Sequence, residues 1–224
     1  MKVTYWPNGS NHLNNQKNKQ RTSIFLRYLV FLGFVLSLLS ACSQPQLNPL
    51  PYDAKILAFG DSLTAGKGVD KSFSYPSVLA QLIEVDVINA GISGETTAQG
   101  LRRLPQALST HQPDLLILLE GGNDILQNKD LDQTKRNLSD MISLAKQQGI
   151  QVMLVAVPEK SLFSSSASFY HELSDEHQLV LEDGIIAELM RSPEMKSDPV
   201  HFNEAGYRAL AQRIAELMQQ QNII

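Results

Sequence analysis

The sequence predicts an α/β fold, a parallel sheet with helices packed on both faces. Three observations carry that reading. Short apolar runs recur at residues 56–59, 85–89, 115–119 and 151–157, with a weaker one at 179–181. The segments between them show helical periodicity rather than hairpin turns. The first three runs each lead into a loop that holds Gly with Asn, Asp or Ser, as strands do when they open onto a ligand edge.

Taken in order, Ile56-Leu-Ala-Phe59 is the first strand, and Gly60-Asp61-Ser62 turns the chain sharply at its end. The second run leads into Ala90-Gly91-Ile92-Ser93-Gly94-Glu95-Thr96. Leu101, Leu104 and Leu108 then form a helical stripe, which Pro105 should kink or shorten. The third strand runs into Gly121-Gly122-Asn123-Asp124. Leu138, Met141, Ile142 and Ala145 fall at i, i+3, i+4 and i+7, and Gly149 supplies the stop. The last helix is the clearest: Asn203 is its N-cap, and Tyr207, Leu210, Ala211, Ile214 and Leu217 are its buried face.

Residues 1–41 read differently from the rest of the 224-residue chain. They carry Lys2, Lys17, Lys19, Arg21 and Arg27 and no acid, and residues 28–39 are apolar apart from Gly33 and Ser37. Twelve apolar residues rise roughly 18 Å as a helix, short for a membrane span. A basic region, a short apolar region and small residues before a cleavage point predict a secretory signal. Leu39-Ser40-Ala41-Cys42 resembles the bacterial lipobox, which makes residues 1–41 a lipoprotein signal peptide and Cys42 the lipidated residue. Residues 42–53 are then a Pro-rich tether and residues 54–224 the domain. Ser43 in place of Asp points to the outer membrane, facing the periplasm. Cys42 is the only cysteine, so no intrachain disulfide can form.

The full chain has formal charge −4; without its five leading cations, 14 basic residues stand against 23 acidic ones. An acidic body argues against nucleic acid as a partner.

The loops that follow the first three strands converge on one sheet edge. Asp198-Pro199-Val200-His201, just before the last helix, can reach the same edge. Acyl transfer needs the types of residue gathered there. Ser62 is a weak nucleophile that needs a base, and His201 can serve. Asp198, three residues away in a turn, can orient the imidazole. A tetrahedral oxyanion needs fixed donors, and the Ser62 and Gly94 backbone N–H groups and the Asn123 amide can supply them.

These four blocks, Gly60-Asp61-Ser62-Leu63, Gly94, Gly121-Gly122-Asn123-Asp124 and Asp198-x-x-His201, resemble the SGNH hydrolases, also called GDSL esterases. The words Ala-Gly-Ile-Ser-Gly-Glu-Thr and Leu-Glu-Gly-Gly-Asn-Asp are most similar to the periplasmic thioesterase/lysophospholipase/arylesterase branch. The resemblance spans about residues 55–220. It implies a flavodoxin-like three-layer α/β/α fold with a five-stranded parallel sheet in the order 2-1-3-4-5. It implies Ser-His-Asp catalysis on small acyl esters or thioesters, with no cofactor and no metal. The lipobox departs from that branch, whose members are usually soluble. A monomer is expected. The other reading is a lipid- or carbohydrate-binding lipoprotein that uses the same fold without catalysis.

Other motifs fail on spacing. Gly60 to Lys67 lacks the Ser or Thr that follows the lysine of a phosphate loop, and no Gly-x-Gly-x-x-Gly follows a strand. His171 and His177 are six apart, which does not place both on one helix face for a metal. The Gly-x-Ser-x-Gly elbow is absent around Ser62. After the fourth strand comes a Ser-rich stretch with Leu162 and Phe163, expected to wall an acyl groove leading to Ser62.

Overall fold

Five parallel strands form one sheet in the order β2-β1-β3-β4-β5. They are β1 (Lys55–Gly60), β2 (Asp86–Gly91), β3 (Leu115–Leu119), β4 (Gln151–Val155) and β5 (Val180–Glu182). The structure is a computed structural model that describes residues 1–2, 46–160 and 166–224. Every residue of β3 is buried, and in β1 only Lys55 is not. Apolar runs of this kind are what inner parallel strands covered on both faces require. The sheet order is the expected one. The fourth strand ends two residues earlier than its apolar run, although the Ala156 N–H still donates to Glu182 O at 2.8 Å.

The helices are α1 (Ser62–Ala65), α2 (Tyr75–Ile83), α3 (Thr97–His111), α4 (Gly122–Leu126), α5 (Leu131–Gln147), α6 (Ser168–His177), α7 (Ile185–Arg191) and α8 (Glu204–Gln220). The chain winds outward from β1 to β2, then crosses back to β3. Parallel crossovers are right-handed, so this reversal sends the helices before and after β2 to opposite faces. One layer is α2 packed on α8 with α7 beside it; the other is α3 on α5 with α6. The predicted core residues of the last two long helices are buried: Leu138, Met141, Ile142 and Ala145 in α5, and Tyr207, Leu210, Ala211, Ile214 and Leu217 in α8. Asn203 caps α8 through Oδ1, which accepts from the Gly206 N–H at 3.0 Å.

Pro105 does not shorten its helix, contrary to expectation: α3 runs 15 residues with the proline inside. Pro105 is exposed, so its ring lies on the solvent face and leaves the buried face of the helix unbroken. A Thr96–Gln99 capping box fixes the start, and Gly100, Leu104 and Leu108 hold the buried face.

The predicted signal peptide and Cys42 lie outside the described residues, save Met1 and Lys2. From Leu47 onward the chain runs along the domain. Leu47 and Leu50 pack on the core, and the Leu50 N–H donates to Ile223 O at 3.0 Å. Among the described residues, no helix is long and apolar enough to cross a membrane.

Candidate active site

Strand register brings the loops together. Gly60 at the end of β1 pairs with Gly91 of β2 on one side and Leu119 of β3 on the other, so three loops leave the sheet side by side. Gly60 has no room for a side chain, because a Cβ would collide with Leu119 O and Thr64 Oγ1. At Gly91 a Cβ would strike the backbone of Thr64 and Ala65, so β2 can end only against α1. Asp61 caps α1 by accepting from the Leu63 N–H at 2.9 Å, which places Ser62 at the first position of that helix.

The fourth segment reaches Ser62 across 139 positions of sequence. His201 Nε2 lies 3.0 Å from Ser62 Oγ, and His201 Nδ1 lies 2.7 Å from Asp198 Oδ2. Asp198 Oδ1 accepts from the Val200 and His201 backbone N–H groups, both at 2.9 Å. These bonds, the Val200 N–H foremost and then the imidazole, hold the Asp198 carboxyl below the usual carboxylate range. An ionised Asp198 accepts from Nδ1–H, which leaves Nε2 to accept from the serine hydroxyl.

Behind Ser62 lies a buried polar floor. Asn123 Nδ2 donates to Glu95 O at 2.9 Å and, more weakly, to Asp61 Oδ2 at 3.3 Å. Gly94 adopts φ +83°, and a Cβ there would meet nothing within 4 Å, so the backbone conformation is what demands glycine. Asp124, beside Asn123, caps α3: it accepts from Thr97 N–H at 2.8 Å and Thr97 Oγ1 at 2.7 Å. Glu95 is buried and takes Arg103 Nε at 2.9 Å, while Arg103 Nη2 donates to Ala90 O at 3.0 Å. The guanidinium carbon sits 3.9 Å from the centroid of the Phe59 ring.

Burial pushes the Asp61 carboxyl up to about 6, against the pull of the Leu63 N–H and of His201. Glu120 is fully buried and raised well above the ordinary glutamate range, by burial first and then by the charges of Asp61 and Glu95. Its Oε1 has no hydrogen-bond partner among the described residues, which suits a neutral carboxylic acid.

Ser62, Gly94, Asn123 and His201 line one cleft of about 920 Å³, and Asp198 joins it through His201. Leu162 and Phe163, expected to wall it, lie outside the described residues. The described apolar wall is Ile125 and Leu126 of α4, Val157 and Pro158, and Ile186 and Met190 of α7. The sequence reading missed α7 and the buried carboxyl cluster. Its signal was there in Ile185, Ile186 and Leu189, one turn of an apolar stripe just after a weak strand. His111, His171 and His177 do not line this cleft. His177 Nε2 pairs with Ser139 Oγ at 2.7 Å, and His171 Nε2 with Ser166 Oγ at 3.2 Å.

The sequence pattern of the GDSL-like Lipase/Acylhydrolase family matches residues 58–209. An arylesterase of Vibrio mimicus is 33% identical over 189 residues, 80% of this chain and 91% of its own. Thioesterase 1/protease 1/lysophospholipase L1 of Escherichia coli (strain K12) is 28% identical over 205 residues, 88% of this chain and 94% of its own. The crystal structure of TesA superposes with TM-score 0.68 at 25% identity, covering 75% of this chain and 99% of that one.

Proposed function

Because the chain belongs to the GDSL-like lipase/acylhydrolase family, and is a carboxylic ester hydrolase as its relatives are, we propose that it cleaves acyl esters or thioesters with Ser62 as nucleophile. The observation that carries this reading is the unbroken chain from Ser62 Oγ to His201 Nε2 at 3.0 Å and from His201 Nδ1 to Asp198 at 2.7 Å. Ser62 Oγ attacks the acyl carbon as His201 Nε2 takes the hydroxyl proton. Asp198 keeps the ring in the tautomer that can accept it. The carbonyl oxygen becomes an oxyanion held by Ser62 N–H, Gly94 N–H and Asn123 Nδ2–H. Its collapse expels the alcohol or thiol, which receives the proton from His201. Water, deprotonated by the same imidazole, then cleaves the acyl-enzyme and returns Ser62 to its resting form. The idle binding alternative gains no support from a serine within hydrogen-bond reach of an oriented histidine.

A fluorophosphonate reagent tests the assignment directly, since it labels only an activated serine. Wild type should be labelled stoichiometrically, at Ser62 by peptide mapping. Labelling that persists in Ser62→Ala would place the nucleophile elsewhere.

The acyl chain lies along the apolar wall of Ile125, Leu126, Ile186 and Met190, with Leu162 and Phe163 extending it. That wall suits the arylesterase, thioesterase and lysophospholipase activities for which the relatives are named. At the amino end, residues 1–41 act as a lipoprotein signal peptide. A lipid on Cys42 then anchors a monomeric enzyme to the bacterial outer membrane, facing the periplasm. The Leu-Ser-Ala-Cys run supports this part. Cys42→Ser should move the protein from the membrane fraction to the soluble one; membrane association unchanged by that substitution would refute the anchor.

A further inference from the structure

The two oxyanion donors contributed by loops beyond Ser62 sit on different segments, Gly94 after β2 and Asn123 in α4. Neither fixes itself. Gly94 has no side chain and open space where one would be. Asn123 has two amide hydrogens, and one must be anchored if the other is to be aimed.

Glu95 touches both problems. Its backbone is joined directly to Gly94, and its carbonyl takes one Asn123 hydrogen at 2.9 Å. The second Asn123 hydrogen rests only on Asp61 Oδ2 at 3.3 Å, a long contact that an oxyanion can displace. The Glu95 side chain is buried and gripped by Arg103, whose guanidinium also holds Ala90 O at 3.0 Å and lies over Phe59. Phe59 is the residue before Gly60 on β1, and Ala90 the residue before Gly91 on β2. One guanidinium therefore references the oxyanion loop both to β1, the strand that leads into Ser62, and to its neighbour β2.

We propose that Glu95, clamped by Arg103, is the positioning residue that sets the Gly94 N–H and Asn123 Nδ2–H relative to Ser62. The proposal rests on the oxyanion roles given above. Neither side chain touches the reacting atoms. The pair acts through the Glu95 backbone, so its loss should weaken transition-state stabilisation and leave ground-state binding alone.

The test is a kinetic cycle on one soluble ester, with Arg103→Gln, Glu95→Gln, Asn123→Ala and the Arg103→Gln/Asn123→Ala double variant. Melting temperature and near-UV circular dichroism confirm folding of each. Arg103→Gln should lower kcat by about 10- to 100-fold, below the roughly 10²–10³ of losing a donor outright, with KM within about twofold. Glu95→Gln keeps shape and one acceptor oxygen but not the charge, and should lose about three- to tenfold. In the double variant Arg103→Gln should cost only a few-fold beyond Asn123→Ala, because much of what it positions is already gone. A folded Arg103→Gln with wild-type kcat overturns the proposal, as do losses that simply multiply. If Arg103→Gln does not fold, an unchanged kcat in Glu95→Gln overturns it alone. Full kcat in Asn123→Ala would instead remove the oxyanion reading beneath it.

Discussion

Ser62 is served from two sides that are built in different ways. On the donor side, Asp61, Glu95 and Asn123 come from three separate segments and are joined by long-range hydrogen bonds, with Asp61 and Glu95 buried beneath a half-buried Asn123. On the base side, Asp198 and His201 belong to one short turn. The bonds inside that turn span two or three residues, and the Asp198 side chain is 42% exposed. The turn is closed by the Lys196–Phe202 bridge and by Ser197 N–H donating to His201 O at 3.0 Å. The difference follows from what each side must do. Donors that meet a developing charge work best when fixed beforehand and shielded from water. A base that shuttles a proton to a leaving group needs access to solvent and product. Local bonds suffice to orient it.

The largest expected effect is common to both sides. Ser62→Ala and His201→Ala should each cut kcat by several orders of magnitude with folding intact, since nucleophile and base act as a unit. More than a few per cent residual activity in either would break the assignment. His111→Ala, His171→Ala and His177→Ala should stay near wild type.

The sides should separate at the next level. Asn123→Ala should cost roughly 10²–10³ in kcat with little change in KM, because a water in the cleft would lack the fixed aim that Glu95 O gives the half-buried amide. Asp198→Ala should cost less, about 10- to 100-fold, because the Asp198 side chain is 42% exposed and water can take its place and partly orient the ring. The measurement is kcat for both variants on one ester. An Asp198→Ala loss as large as that of His201→Ala would mean that the turn holds its histidine only through this carboxylate.

Stability against pH should distinguish the sides by sign. Asp61, pushed up to about 6, binds its proton more tightly folded than unfolded. The stability it contributes is complete below its unfolded value of 3.8 and is lost as pH rises through about 6. Asp198 is held low, so its contribution is present above the unfolded value and fades as pH falls. Denaturant unfolding at pH 4 and pH 7 checks this. Relative to wild type, Asp61→Asn should gain on the order of 2 kcal/mol between the two, and Asp198→Asn should move slightly the other way. A gap for Asp61→Asn that does not move with pH would show that its carboxyl titrates normally.

The same contrast decides what the sequence could reveal. The turn carrying Asp198 and His201 was legible because its bonds are local, and a four-residue word contains them. Gly60 was legible as the head of the Gly-Asp-Ser turn, and the structure shows that Leu119 O and Thr64 Oγ1 leave room there only for glycine. Asn123 was legible too, but what supports it was hidden for the opposite reason. Nothing in the sequence alone separates Arg103 from any other charge on an amphipathic helix, or Glu120 from any polar residue ending a strand. Their meaning depends on register between β1, β2 and β3 and on a helix laid across them. The apolar cleft wall on α7 was obscured by a three-residue strand before it, too short to announce the helix that follows.

The smallest effect concerns that wall, which belongs to the base side. Met190 and Ile186 line the cleft from α7, and Lys196 Nζ donates to Met190 O at 2.9 Å, tying the helix end to the segment that leads to Asp198. A side built from local bonds can shift to fit different acyl chains without disturbing the donors across the cleft. Each CH₂ packed on the wall should add up to about 0.8 kcal/mol of binding. Ile186→Ala and Met190→Ala should therefore flatten the rise of kcat/KM with acyl length, by up to a few-fold per added CH₂, while turnover of acetyl esters stays near wild type. The Met190 carbonyl survives the substitution, so the turn keeps its tie through Lys196. A p-nitrophenyl ester series from acetyl to dodecanoyl reads the slope directly. Loss by the same factor at every length, acetyl included, would mean that the wall supports the histidine turn rather than the substrate, and the two sides would no longer be independent.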